Sequence, residues 1–274
     1  MSSGRFDGRV AVVTGAAGGM GTAIALELGA GGAKLALVDL EQGRLDAAVA
    51  ALPEGTETIT LALDITNDNA PSEVADTARD AFGRVDILVN NAGIARFGRA
   101  ERYVAQDWDD VMDVNLRAPF LLSQAVGRLM LEDCQGGSIV NIGSIGGRTA
   151  NPQNVPYGVS KAAILGLTQQ LAVEWGPYGI RVNAVNPGLT TWHMRALEPD
   201  WEVKRKQTEL VPLKRLAEPS DIAGVVGFLC SEAARCITGV MIDVDGGYLL
   251  SLLSQLPRPE RLLQQVGEER TSGR

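Results

Sequence analysis

An α/β fold, with a doubly wound, mainly parallel sheet of about seven strands in a single domain, is what this sequence predicts. Three observations lead there. Short, continuously apolar, β-branched runs alternate with longer helical patterns from Val10 to about Tyr248. The runs lack the in–out alternation of a half-exposed sheet, as strands buried on both faces require. The unbroken repeat of strand and helix implies parallel strands joined by crossovers.

The elements follow in order. Residues 9–13, Arg-Val-Ala-Val-Val, read as the first strand, and a glycine-rich turn leads into a helix over 19–31. A second strand covers 35–39, a helix 43–52, and a third strand ends with Leu-Ala-Leu-Asp at 61–64. Residues 71–82 form a helix with Asn69 as its cap and Pro71 in its first turn. A fourth strand at 86–90 precedes one long helix over 108–131, which Gln135-Gly136-Gly137 ends. The fifth strand is 138–141, its helix 159–175, and the sixth strand 181–185. Pro219-Ser220-Asp221 starts a helix over 220–231, and 240–244 is the last strand. The architecture is Rossmann-type, which places ligands at the carboxyl ends of the strands.

Two stretches break the pattern. Residues 189–216 are long, polar and loosely helical and hold Trp192, His193, Met194 and Trp201. A stretch of that length inside a compact domain is expected to be a lid. The leucine-rich run from Leu249 is expected to pack on a neighbouring subunit or beside the cleft, since so many leucines should not face water.

Of the 274 residues, 45% are apolar and 21% charged, enough for one large core. The formal charge of −8, with no basic stripe, argues against nucleic acid as a partner. Three scattered cysteines and the single His193 offer no metal-ligand spacing. Residues 1–8 lack the apolar core of a signal peptide, and no apolar stretch approaches the ~20 residues of a membrane span. A cytoplasmic protein is expected.

The motifs lie where the fold would put a ligand. Gly15, Gly19 and Gly21 follow the first strand in a Gly-x-x-x-Gly-x-Gly spacing. Glycines let a backbone approach a pyrophosphate, and the helix N-terminus offers it free N–H groups. Asp39 ends the second strand, where a carboxylate accepts ribose hydroxyls and repels a 2′-phosphate. Leu40 follows it and Gly18 precedes Gly19, so no basic side chain is expected there to hold such a phosphate, and NAD is favoured over NADP. Tyr157 and Lys161 stand four apart on one face at the start of a helix. A phenol of ordinary pKa ~10 is a poor base until a nearby cation stabilises the phenolate. Ser144 follows the fifth strand, where its hydroxyl can meet a substrate oxygen, and Asn115 can hold a water or a backbone group near Lys161.

Taken in order, the glycine turn, Asn90-Asn91-Ala92-Gly93, Asn115, Ser144, Tyr157-x-x-x-Lys161 and Asn186-Pro187-Gly188 resemble the short-chain dehydrogenase/reductase family over about residues 5–248. The resemblance implies an NAD-dependent oxidoreductase acting on a secondary alcohol or ketone, in a homotetramer or homodimer. It implies that Tyr157 is the general acid/base, that Lys161 binds the nicotinamide ribose and lowers the Tyr157 pKa, and that Ser144 polarises the substrate oxygen. Asn115 would support a proton relay. Gly15, Gly19, Met20, Gly21, Asp39 and Leu40 would hold the pyrophosphate and ribose. Asp64 and Ile65 would flank the adenine, and Asn91, Ala92 and Gly93 would line the cleft. Pro187, Gly188 and Thr190 or Thr191 would orient the nicotinamide. Residues 1–249 would be the catalytic unit and 250–274 an extension.

Substrate contacts are expected from Ser144, Ile145, Tyr157 and Trp192, with Ile94, Arg96, Phe97 and Arg148 nearby. Their content suggests a cyclic or hydrophobic substrate. A second reading is a non-enzymatic NAD-binding sensor or scaffold with the same fold, which would ordinarily have lost one of the four catalytic residues. A third, a sugar-nucleotide enzyme, rests on Gly15, Gly18 and Gly21 at three-residue spacing and lacks the larger C-terminal domain such enzymes need.

Overall fold

A computed structural model describes residues 4–191 and 201–251. Its strands are β1 (Val10–Thr14), β2 (Lys34–Asp39), β3 (Thr58–Ala62), β4 (Ile87–Asn90), β5 (Gly137–Ile142), β6 (Ile180–Pro187) and β7 (Met241–Val244). They form one sheet in the order β3-β2-β1-β4-β5-β6-β7, every neighbouring pair parallel. From β1 the chain moves outward to β3, then returns to the other side of β1 and proceeds to β7. The loops after β1 and β4 therefore diverge, and the crevice between them is where a doubly wound sheet holds its ligand.

The helices are α1 (Gly19–Ala30), α2 (Gln42–Ala50), α3 (Ala70–Phe82), α4 (Ala105–Met112), α5 (Ala118–Asp133), α6 (Val155–Trp175), α7 (Trp201–Leu210) and α8 (Pro219–Cys230). Alternate strand residues feed two cores. Val13, Leu35, Leu37 and Val89 pack with Ile24 and Leu28 of α1, Leu45 of α2 and Val226 of α8. Val12, Ala36, Val38 and Leu88 pack on the other face with Val74 of α3, Leu122 and Val126 of α5 and Leu171 of α6. Covering both faces is what makes the strands read as continuous apolar runs.

Three local expectations change. The single helix over 108–131 is interrupted by a π-helical turn, Asp113–Arg117, between α4 and α5. Pro119 has no N–H, so it cannot donate to the carbonyl of Asn115 four residues earlier, and Ala118 N–H reaches back five residues to Asp113 instead. Helix α6 starts at Val155 rather than 159, because Pro156 is a good first-turn residue, and Tyr157 falls in the opening turn. Asn69 precedes α3, but its side chain makes no capping hydrogen bond, and Ser72 Oγ donates to the Asn69 carbonyl at 2.9 Å. Of the expected lid, α7 is described and residues 192–200 are not. Leu250, in the leucine-rich run, is 89% exposed, and the rest of the tail beyond 251 lies outside the described residues.

A buried polar chain ties sheet to helices. Asn90 Nδ2 donates to Asn141 Oδ1 (2.8 Å) and Ser123 Oγ (3.0 Å), and Asn141 Nδ2 donates to Thr168 Oγ1 (2.9 Å). Thr168 passes its own proton to the Ile164 carbonyl at 2.8 Å. Removing the middle of such a chain strands its neighbours without partners. Asn141→Ala should therefore cost about 1–3 kcal/mol in urea unfolding. The exposed Val173→Ala should stay within about 0.5 kcal/mol. Equal unfolding midpoints for the two variants would contradict the role given to Asn141.

Candidate active site

The chain leaves β1 through Gly15, whose φ is +61°. A Cβ there would also come within 2.9 Å of Ala92 Cα, so glycine is what lets this turn close on the loop after β4. Asn91 fastens the two loops. Its Nδ2 donates to the carbonyls of Thr14 (2.9 Å) and Gly15 (3.0 Å), and Thr14 Oγ1 accepts from the N–H groups of Asn91 (3.0 Å) and Ala92 (3.1 Å). Helix α1 then opens on Gly18 with no side-chain cap, and a Cβ on Gly21 would overlap the Gly15 carbonyl oxygen. The result is a helix N-terminus with bare backbone N–H groups, a site suited to an anion.

A cleft of about 660 Å³ runs from this turn. It is lined by Gly15, Gly19, Met20 and Gly21, by Asp39 and Leu40, by Asp64 and Ile65, and by Asn91, Ala92 and Gly93. All of these were nominated from the sequence. Asp39 is held rigidly, with Oδ2 accepting from Ala17 N (2.9 Å) and Oδ1 from Leu40 N (2.8 Å). A carboxylate has roughly four acceptor positions, so about two stay open. Asp64 Oδ1 accepts from both the N–H and the hydroxyl of Thr66, at 2.9 and 2.7 Å.

One expectation about this end of the cleft needs correction. A basic side chain does reach it: Arg44 lines the cleft beside Asp39 and Leu40 and donates from Nη2 to the Ala17 carbonyl at 3.3 Å. Helix α2 begins directly after Leu40-Glu41, so its first turn folds back over the glycine turn. The residues adjacent to Asp39 and Gly19 in the chain carry no sign of it.

The second half of the site stands at the ends of β5 and β6. Lys161 is 4% exposed and donates from Nζ to the carbonyl of Ile142, the last residue of β5, at 2.8 Å. The same nitrogen lies 5.7 Å from the centre of the Tyr157 ring. Burial brings the Lys161 ammonium down to about 8. Burial also pushes the Tyr157 phenol above its ordinary value, and a hydrogen bond with the Ser144 hydroxyl pulls it partly back. Ser144 Oγ in turn accepts from Gly146 N at 3.0 Å.

Asn115, 1% exposed in the π-helical turn, uses its side chain on protein. Nδ2 donates to the Ile94 carbonyl (2.9 Å) and Ser160 Oγ (3.0 Å), and Oδ1 accepts from Ile94 N (2.8 Å). It holds a backbone group, one of the two options its sequence position offered. Ser160, which the sequence reading did not single out, passes its proton to the Tyr157 carbonyl at 2.8 Å. Gly93 joins the two halves: a Cβ there would sit 3.3 Å from Asn115 Oδ1 and 3.4 Å from Lys161 Nζ.

Pro187 ends β6, and Gly188 donates to the Val244 carbonyl at 3.0 Å, with its Cα too close to Asp245 for a side chain. Thr190 is buried, and Thr191 Oγ1 donates to Glu218 Oε2 at 2.7 Å. Ile145 is buried beside Ser144. Trp192, His193 and Met194 lie outside the described residues. Among the described residues no cluster of His, Cys, Asp and Glu could hold a metal, and no helix is long and apolar enough to cross a membrane.

The buried ammonium yields a stability prediction with a definite sign. Lys161 binds its proton more weakly in the folded chain (about 8) than at the ordinary value of 10.5. Folding therefore carries a cost below pH 8 that is relieved between 8 and 10.5. Lys161→Met should be more stable than wild type at pH 7, with the advantage shrinking by pH 10, in paired thermal melts. A constant difference across that range would contradict it.

Comparison with known proteins agrees with this geometry. Residues 15–249 match the family described as enoyl-(acyl carrier protein) reductase. D-threitol dehydrogenase of Mycolicibacterium smegmatis is 40% identical over 250 residues, covering 90% of this chain and 95% of its own. NAD-dependent glycerol dehydrogenase of Listeria innocua is 38% identical over 242 residues, covering 88% and 94%. A solved structure from Agrobacterium tumefaciens, described as a 2-deoxy-D-gluconate 3-dehydrogenase with bound NADP, is 36% identical with a TM-score of 0.81, covering 91% of this chain and 100% of that one. With these relatives and this sheet order, the chain belongs to the short-chain dehydrogenase/reductase family and is an oxidoreductase.

Proposed function

We propose that the protein transfers a hydride between NAD(H) and an uncharged secondary alcohol or ketone, with Tyr157 as general acid/base. The observation that carries this reading is the buried cluster of Tyr157, Ser144 and Lys161, joined through Gly93 to a glycine-walled cleft that ends at Asp39. The cleft fits a dinucleotide on its own geometry. Side chains are absent where Gly15 and Gly21 meet backbone, helix N–H groups face the cleft, and a fixed carboxylate stands at its far end. When bound, the nicotinamide supplies the hydride donor or acceptor.

The chain's own groups do the rest. Ser144 holds the substrate oxygen and Tyr157 exchanges a proton with it. Lys161, charged below about pH 8, stands on the Ile142 carbonyl and adds positive charge beside the phenol, and it would hold the nicotinamide ribose of a bound dinucleotide. Asn115 keeps Ile94, and with it the cleft floor at Gly93, in register with α6 through Ser160. Pro187, Gly188 and Thr190 or Thr191 shape the nicotinamide side. Residues 1–249 act as the catalytic unit, 189–216 as a lid and 250–274 as an extension, in a homotetramer or homodimer.

Two observations narrow the substrate. Arg96 faces Asp107 (3.9 Å) and Asp110 (3.6 Å), and Arg148 pairs with Asp243, so the two arginines expected beside the substrate are already matched by carboxylates. A carboxylate or phosphate substrate would have to displace them. The expected cyclic or hydrophobic substrate drew on the apolar and aromatic wall of Ile94, Phe97, Ile145 and Trp192, whereas the relatives named for threitol and glycerol favour small neutral polyols. Polyols are the first substrates to try and cyclic alcohols the second.

Asp39 favours NAD by repelling a 2′-phosphate, and Arg44 at the same mouth makes that preference one of degree. Initial rates with NAD and NADP should favour NAD, and Asp39→Ala should narrow the ratio. A wild type that prefers NADP overturns the assignment.

Tyr157→Phe should lower kcat by about a hundredfold or more while dinucleotide binding persists. Because burial raises the Tyr157 pKa, the phenol stays protonated at neutral pH. Reduction, which needs the phenol, should fall as pH rises into the alkaline range, and oxidation, which needs the phenolate, should climb. Parallel pH profiles for the two directions would remove Tyr157 from the proton transfer.

A further inference from the structure

The turn that carries Ser144 leaves β5 and is gripped at its two ends by the next two strands of the sheet, β6 and β7. At its start, Gly143 lies against Asn186 of β6, so closely that a Cβ would overlap Asn186 Oδ1. At its end, Arg148 pairs through Nη1 with Oδ2 of Asp243 on β7. The two grips are themselves joined, because Asn186 Nδ2 donates to Asp243 Oδ1 at 2.9 Å. Gly143, Asn186, Asp243 and Arg148 thus form a bracket around residues 143–148.

We infer that Asp243 and Arg148 are positioning residues, which through Asn186 hold the Ser144 hydroxyl at a fixed place against the Pro187–Gly188 end of β6. The inference rests on the reading of Ser144 as the group that holds the substrate oxygen.

The physical case is in how the carboxylate divides its two oxygens. An ion pair with partners 47% and 22% exposed contributes little by itself. Here the same carboxylate also decides the orientation of a fully buried amide. Turning the Asn186 amide over would set Oδ1 against the Asp243 carboxylate, so Asp243 keeps the oxygen on the Gly143 side. That oxygen has no hydrogen-bond partner among the described residues and packs on the Gly143 Cα, which is why a side chain has no room there. Ser144 follows directly. Its hydroxyl is what draws the Tyr157 phenol down against burial, so a loosened turn weakens that contact. Among the described residues the other ionisable group facing the phenol is Lys161, on the same helix; its ammonium rests on the Ile142 carbonyl, outside the bracketed turn, while its backbone packs on Gly147 within it.

The test compares Arg148→Ala, Asp243→Ala, their double variant and Arg148→Lys with Ser144→Ala, all as full-length protein. Loss of the bracket should lower kcat by about tenfold to a hundredfold, the scale of a small misplacement at a reacting centre. The KM for the dinucleotide should stay within about twofold, since none of the four bracket residues lines the glycine-walled cleft. The double variant should be no worse than the weaker single, and Arg148→Lys should recover most of the rate. In the oxidation direction the alkaline limb of the pH profile should move to higher pH in the bracket variants, a shift that mere loss of stability does not produce. Arg148 is surface-accessible, so Arg148→Ala carries the test if Asp243→Ala does not fold.

Unchanged kcat in Arg148→Ala, with Ser144→Ala impaired, overturns the bracket and leaves the reading of Ser144 intact. Full activity in Ser144→Ala sinks that reading and this inference with it.

Discussion

An ammonium buried to 4% exposure, resting on one carbonyl oxygen, is the contact on which this site depends. A charge removed from water is costly unless it is matched, and the Ile142 carbonyl offers a single charged hydrogen bond. Burial weakens the proton's hold, to about 8, without removing the charge at neutral pH. Because Ile142 is the last residue of β5, that bond fastens α6 to the carboxyl edge of the sheet. One helical turn earlier on the same face is Tyr157, which is therefore placed by the sheet rather than by a loop.

The rest of the site follows from where the sheet reverses direction. Loops after β1 and β4 part at that point, and the glycine turn and Asn91 rejoin them through backbone contacts that leave the cleft open. The cleft and the Tyr157 cluster then need a common wall. Gly93 supplies it, lying against Asn115 and Lys161 with no side chain of its own. Asn115 can fill that role because the π-helical turn sets it between Ile94 and Ser160, and the turn exists because Pro119 cannot complete an ordinary helical ladder.

Much of this was legible in the residues themselves, for identifiable reasons. The central strands, buried on both faces, leave continuous apolar runs, and the half-buried edge strands β3 and β7 were legible from their β-branched residues and their place in the strand–helix alternation. Glycines at a strand–helix junction and an acid ending the next strand are local signals, and the cleft gathers them as expected. Other features depend on residues distant in the chain. Arg44 reaches the cleft only because α2 folds back over the glycine turn, and no spacing rule announces that. Asp243 meets Arg148 across 95 positions, through a strand order that motif reading does not supply. The π-helical turn was visible in principle at Pro119, but apolar periodicity continues through it and conceals the break. Lys161 pairs with a carbonyl, a partner that side-chain patterns never reveal.

The proposed chemistry requires Tyr157 to be a phenol whose ionisation is set by its surroundings. The direct measurement is a tyrosinate absorbance titration of wild type and Tyr157→Phe, each with and without saturating NAD⁺. In free wild-type protein Tyr157 should ionise late, because it is buried. With NAD⁺ bound, that tyrosine should ionise at distinctly lower pH, and the component should be missing from Tyr157→Phe under both conditions. Identical curves for wild type with and without NAD⁺, or a cofactor-sensitive component that survives in Tyr157→Phe, would contradict it.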